Sequence, residues 1–342
     1  MRSLRKLVPG LATDGGTIAG PTGGSGGGGA VQTVISALLR YSIVWALVVL
    51  AIVTNILYPG FFEIANLRNL LSQNAPVGLV AIGMTFVLIA GGFDLSVSAI
   101  FALAGVCFAS IAVDIPVGLA IVAGLGIGVL AGTINGAIVT RLQVNPFVAT
   151  LGTASAFGGL AFIYAGASPV FVEKESFSFL GSGAILGIPV AIVIFAGAFA
   201  IGSVVLAKSV YGRAVYAVGG NREAARLAGI RVDMVRFSTY VLTGFCAALA
   251  GMIIASRTAV GSPNVGASIT LDAIAMVIIG GTSLLGGEGA MWRTLVGLLI
   301  LATINNLFDS LALDASVQAL VKGIIVVSAV ALDSYTRRRH QH

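Results

Sequence analysis

The hydrophobic positions of this chain fall into ten long apolar segments, at about 41–58, 75–92, 95–113, 116–140, 144–166, 184–207, 236–255, 270–285, 290–308 and 317–333. Most reach the roughly 17–25 residues that a helix needs to cross hydrocarbon. The pattern predicts an all-α polytopic membrane protein with about ten transmembrane helices. The second and third segments are parted only by Gly91, Gly92, Phe93 and Asp94. The eighth is short, and Gly280, Gly281, Gly286 and Gly287 mark its end. These are the places where a broken or re-entrant helix is expected, because irregular backbone at membrane depth is tolerated only under protein cover.

Composition agrees with this pattern. Of 342 residues, 57% are hydrophobic and 9% charged, against about 25% charged in a soluble domain. Mean hydropathy is +1.03. A core of this length has no room for so much apolar surface beneath a soluble exterior, whereas a lipid-facing surface accommodates it. Cys107 and Cys246 lie inside apolar runs and read as small packing residues. The only histidines are His340 and His342, at the end of the chain, so the body offers no histidine metal or catalytic site.

The first 40 residues are not a span. Arg2, Arg5 and Lys6 precede a glycine-dense run from Gly15 to Gly29, a composition that buries no core and predicts a flexible cytoplasmic tail. A signal peptide needs an apolar stretch directly after its basic residues. Here that stretch starts only near Tyr41, so no cleavage is expected. With ten spans and both termini inside, 15 of the 19 Lys and Arg fall on the cytoplasmic side, leaving Arg68, Lys174, Arg257 and Lys322 outside. That bias sets the orientation, places residues 336–342 in a basic cytoplasmic tail, and accounts for the net charge of +6 without nucleic acid. An odd number of spans would put Arg337, Arg338 and Arg339 outside.

Thr133-Ile134-Asn135 recurs as Thr303-Ile304-Asn305, and at the same offset Gly91 falls on Gly261. The shift is five spans, so two such copies run in opposite directions, as in the inverted repeats of transporters. A chance likeness between glycine-rich helices explains three letters as well. Asp94 and Asp272 lie near membrane ends. A carboxylate at mid-bilayer costs about 2.5–3.5 kcal/mol, so both read first as helix-terminal groups: Asp94 as a cap for the third span and Asp272 in the first turn of the eighth. The alternative is contact with a translocation pathway. Asn135, Asn305 and Asn306 have the same two readings, a contact to a polyol or a bond between helices.

The most informative polar stretch is 208–235, between the sixth and seventh segments. Asn221 suits a helix N-cap and Glu223 complements the first turn. Ala224, Ala225, Arg226 and Leu227 favour helix, and Gly229 is a natural stop. The spacing predicts a two-turn helix on the cytoplasmic face. It is too short to stand alone, so it packs on the spans, docks into a partner groove, or is an ordinary basic loop. Gly202 to Ser209 comes near a phosphate-binding loop. However, Ala207 replaces its second glycine and the run ends an apolar segment, so no ATP site is expected in this chain.

Glu223-Ala224-Ala225 followed by Gly229 resembles the coupling loop of binding-protein-dependent ABC importer permeases. The wider chain resembles the ribose/xylose/galactoside branch of that family. The matching stretches are Asn74-Ala75-Pro76 through Gly83-Met84-Thr85, Ala90 to Val97, Asn135-Gly136, Pro146 to Thr153, Gly219-Gly220-Asn221, Leu271 to Ala275, and Gly280 to Leu284. Ser98 stands where that family often has glycine. The resemblance covers about residues 65–335 and implies a type II ABC importer-like permease domain over 41–335, in the bacterial inner membrane. It implies Gly220, Asn221, Glu223, Ala224, Ala225, Arg226 and Gly229 as the ATPase-coupling residues. The implied partners are a cytoplasmic ABC ATPase that binds ATP and Mg, a periplasmic or lipid-anchored sugar-binding protein, and a second permease subunit, identical or different. The chain itself would bind no cofactor and catalyse nothing. Pentose, hexose, polyol and related solutes all remain open.

Two other classes compete with that reading. A secondary transporter usually shows ionisable residues in mid-span, and this chain has almost none there. A membrane-embedded enzyme needs paired carboxylates, a histidine cluster or a nucleophile–base pair, and the spans carry none of these.

Overall fold

The computed structural model describes residues 41–166 and 168–340. The predicted glycine-rich tail, residues 1–40, lies outside them. From Ile43 onward the described residues form one compact unit.

Seven described helices are long and apolar enough to cross a membrane: α2 (Ile64–Ile89), α3 (Val97–Asp114), α4 (Val117–Thr140), α5 (Pro146–Tyr164), α7 (Val190–Lys208), α10 (Val232–Thr258) and α12 (Met291–Ser310). Three shorter apolar helices are α1 (Ser42–Leu57), α11 (Ile269–Ile279) and the first part of α13 (Ala315–His340). Each of the ten predicted segments therefore carries a helix. Three short helices lie outside the spans: α6 (Glu175–Ser182), α8 (Val210–Gly220) and α9 (Arg222–Leu227). The strands are two-residue pairs. β1 (Val170–Phe171) pairs with β4 (Val260–Gly261), and β2 (Ala184–Ile185) pairs with β3 (Ile188–Pro189), all antiparallel.

Some boundaries moved, each for a local reason. α2 starts eleven residues before the predicted 75, with Pro76 inside the helix. The Pro76 side chain is buried, and polar Asn66, Arg68 and Asn69 extend the helix beyond its apolar block. α7 starts at Val190, because residues 184–189 form the β2–β3 hairpin. α11 has only 11 residues, about 16 Å of rise, half a bilayer. The interrupted eighth segment is thus a half-length helix followed by a loop. In that loop Gly281, Gly286, Gly287 and Gly289 take positive φ.

α2, α3 and α10 form the centre. Of their most apolar windows 78%, 72% and 61% are buried, against 28% for α4, α5 and α7. The peripheral helices present Leu119, Val122, Leu151, Ile163, Ile201 and Val204 outward, the apolar face that lipid requires. α10 packs on α2, α3 and α4, while α2 packs on α10, α11 and α12. Likewise α3 packs on α4 and α5, and α11 on α12 and α13. This matched pattern is what a repeat of α2–α5 in α10–α13 produces. The nearly equal lengths of α2 (26) and α10 (27) agree with it.

Candidate functional site: a coupling segment seated on a helix break

The short helix predicted at Asn221 is α9. Asn221 Oδ1 accepts from the Ala224 backbone N–H at 3.0 Å, an N-cap bond. At the other end Gly229 takes φ +81, Gly229 N–H donates to Arg226 O, and Ile230 N–H donates to Ala225 O. That pair of bonds is a Schellman stop. Ala225 alone in α9 is buried, while Leu227 is 83% exposed. The Glu223–Arg226 contact, at 3.7 Å between exposed side chains, is worth little, so Glu223 stays available to another molecule. Gly202 to Lys208 form the end of helix α7.

Helix α8 is not anticipated by the sequence pattern. Gly212, Gly219 and Gly220 disguise it, yet Ser209 caps it by accepting from Gly212 N–H at 2.9 Å. α8 seats α9 on the rest of the molecule. Tyr211 bonds Ser238 on α10 at 2.8 Å, and Tyr216 Oη donates to Gly289 O at 2.8 Å. Burial pushes both phenols above the ordinary tyrosine range; the Ser238 bond opposes this at Tyr211, and nearby Arg293 opposes it at Tyr216. Glycine contacts complete the seat. A Cβ on Gly219 would meet Ile89 O, one on Gly287 would meet Gly220 Cα at 2.7 Å, and one on Gly286 would meet Gly91 Cα at 2.8 Å. Three glycine-rich stretches, at the end of α2, the end of α8 and the loop before α12, thus touch backbone to backbone. Gly287 N–H donates to Ile89 O at 2.8 Å, and Arg222 Nη2 donates to Gly91 O at 2.7 Å.

From Gly91 the chain turns into α3 through a sealed polar network. Asp94 is fully buried. Its Oδ1 accepts from Ser96 N–H at 2.9 Å and from Ser96 Oγ at 2.7 Å. The expected cap is thereby corrected: Ser96 occupies the N-cap position without a side-chain cap bond, and Asp94 supports it from two residues upstream, because the turn brings the carboxylate beside that N–H. In this turn between the two spans, burial pushes the Asp94 carboxyl up to about 6, opposed by the two Ser96 bonds. Asn135 Nδ2 donates to Ser96 Oγ at 2.6 Å and its Oδ1 accepts from Thr153 Oγ1 at 2.6 Å. Thr150 Oγ1 accepts from Leu95 N–H, and Tyr240 Oη donates to Phe93 O. Helices α4, α5 and α10 therefore all grip the turn.

Sequence reasoning found Asp94 and Asn135 but missed Thr150, Thr153, Tyr216, Arg222 and Tyr240, whose roles arise only from packing. The four residues expected along a pathway fall into separate places. Asp94 and Asn135 share the network. Asp272 sits in the first turn of α11, as expected, and lines a cavity of about 500 Å³ with Ser268, Leu271, Gln318 and Lys322. Asn305 lies in α12, its Oδ1 buried without a hydrogen-bond partner among the described residues.

The Asp94 acceptor has a measurable weight. Asp94→Ala leaves Ser96 N–H unpaired in a buried turn, at a cost of about 1–3 kcal/mol. Asp94→Asn keeps an acceptor and should cost less. Thermal unfolding of the detergent-solubilised protein will rank wild type above Asp94→Asn and Asp94→Ala last.

Residues 66–330 match the family model described as branched-chain amino acid transport system / permease component. The chain belongs to this transport-permease family. The ribose import permease protein of Bacillus subtilis (strain 168) is 44% identical over 290 residues, 84% of this chain and 90% of that protein. The ribose import permease protein of Haemophilus influenzae is 38% identical over 295 residues, 85% and 91% of the two chains. The L-arabinose transport system permease protein of Escherichia coli (strain K12) is 35% identical over 307 residues, 87% and 92%. No solved structure gives a significant match. Family membership and the apolar helices together make this a multi-pass membrane protein, and the capped, exposed helix α9 lies within the matched region.

Proposed function

We propose that this chain is the permease subunit of an ABC importer, which carries a sugar or related polyol across the bacterial inner membrane. The energy comes from ATP hydrolysis in a separate ATPase subunit, which holds the ATP and Mg. The observation that carries the reading is α9. It is a helix with a stop at each end and Ala225 its sole buried residue, seated by α8 on the ends of two spans. A partner groove that takes up α9 gains a stiff handle on the spans. The family description names branched-chain amino acids, but the relatives' names specify ribose and arabinose, and this favours a sugar.

The remaining parts follow from the same reading. A sugar-binding protein delivers the solute from outside, and a second permease subunit, identical or different, completes the pathway. Both termini lie in the cytoplasm. The charge distribution supports that orientation: Arg222, Arg226 and Arg293 cluster around α8 and α9, while Arg68 and Arg257 line one pocket at the other end of α10. Asp272, which lines a cavity, and Asn305 are the pathway contacts, while the buried network of Asp94 and Asn135 holds the turn between α2 and α3.

Co-purification tests this. Co-expressed with its genomic neighbours, the tagged permease should bring down an ATPase in stoichiometric amount. Glu223→Lys should lose most of it, since a reversed charge on the exposed face opposes docking. Gradient-driven uptake in liposomes by the permease alone would replace this reading with a secondary transporter.

A further inference from the structure

Granting the importer reading, we propose that Arg222 and Tyr216 are positioning residues that make the coupling segment move two membrane elements together. Arg222 holds the turn after α2, and Tyr216 holds the loop before α12. Neither residue belongs to the coupling motif, and each donates instead to a backbone carbonyl beside a span.

Arg222 is the first residue of α9. Its guanidinium reaches back from that exposed helix to Gly91 O at 2.7 Å. Gly91 has φ +69, so its carbonyl is presented by a turn that most side-chain-bearing residues avoid. Three residues on, the same turn carries Asp94, which is locked to Ser96 and through it to Asn135 of α4 and Thr153 of α5. A pull on Arg222 therefore reaches three spans through an unbroken run of bonds. Tyr216 lies earlier, on α8, and its hydroxyl donates to Gly289 O, two residues before α12 begins. Between the two bonds, Gly219 rests directly on Ile89 O and Gly287 N. Backbone atoms in contact leave no side chain to absorb a displacement, and packed interiors transmit strain. The two hydrogen bonds add direction: the contacts resist compression, while the bonds resist separation. Together they let the segment both push and pull.

The test uses the complete importer in liposomes and reads solute imported per ATP hydrolysed. Tyr216→Phe removes only the hydroxyl. Arg222→Ala removes the donor, and Arg222→Lys restores one. Both deletions should keep stoichiometric ATPase, an unchanged melting temperature and hydrolysis within about twofold of wild type. Solute per ATP should fall about tenfold for Arg222→Ala, the scale of one bond to a charged group, and about threefold for Tyr216→Phe. Arg222→Lys should recover much of the loss. Unchanged solute per ATP in both deletions would overturn the proposal. Loss of the ATPase from Arg222→Ala would overturn it too, by making Arg222 a docking residue. If wild-type permease binds no ATPase, the importer reading itself fails and this proposal goes with it.

Discussion

Gly219→Ala should abolish most transport while leaving the protein inserted in the membrane. The added Cβ would run into Ile89 O and lie 2.5 Å from Gly287 N. Those two atoms are the acceptor and donor of one hydrogen bond, 2.8 Å long. The methyl group therefore enters that bond, and both neighbours are backbone, so no rotamer change relieves it. Relief requires the end of α8 to withdraw from the end of α2, at a cost of about 1–3 kcal/mol for overpacking. That movement also draws Arg222, three residues on, away from Gly91. Gly220→Ala is the matched comparison. Its Cβ would meet nothing within 4 Å, so its melting temperature should stay close to wild type. The measurement is thermal unfolding of both variants, paired with uptake at equal membrane abundance. Equal melting and equal uptake for Gly219→Ala would mean that this junction opens freely and transmits nothing.

The membrane architecture was legible because hydrophobic run length is a direct physical requirement of the bilayer, and all ten apolar segments carry helices. Errors gathered where polar residues extend a helix past its apolar block, as in α2 from Ile64, and where an apolar run is spent on a hairpin, as at 184–189. α9 was legible through local chemistry: Asn221 as cap and Gly229 as stop act on their own neighbours. α8 was not, since its glycines at 212, 219 and 220 argue against helix, and the reason for two of them is packing. Leu206 O stands where a side chain at 212 would go, and Ile89 O and Gly287 N where one at 219 would go. The same holds for the Asp94 network. The carboxylate was conspicuous near a membrane end. The bonds beyond its partner Ser96, from Asn135 to Ser96 across 39 residues and from Thr153 to Asn135 across 18, form only through helix packing.

Gly244→Val should prevent folding, through contacts far from α9. A Cβ at Gly244 would run into Gly128 O and meet Gly132 N at 2.9 Å and Gly132 Cα at 3.0 Å. The reverse contacts are as close: a Cβ at Gly132 would run into Tyr240 O, and one at Gly128 into Ala248 Cβ. Helices α4 and α10 thus cross with their backbones touching, the close approach that small residues allow where lipid supplies no hydrophobic drive. α10 is central, so parting it from α4 cannot stay local. Tyr240, one turn before Gly244, holds Phe93, and Asn135 on α4 holds Ser96. Both would leave the Asp94 turn as the helices separate, adding unpaired buried polar groups to the steric cost. The sum should exceed about 3 kcal/mol, enough to remove most folded protein. Gly152→Val on α5 provides the contrast, because its Cβ would meet nothing within 4 Å and its folding should change by less than about 0.5 kcal/mol. Monodispersity in detergent after mild extraction distinguishes them: Gly152→Val should elute as wild type and Gly244→Val as aggregate. A well-behaved Gly244→Val would show that α4 and α10 can stand apart, and that the grip on the Asp94 turn does not depend on their crossing.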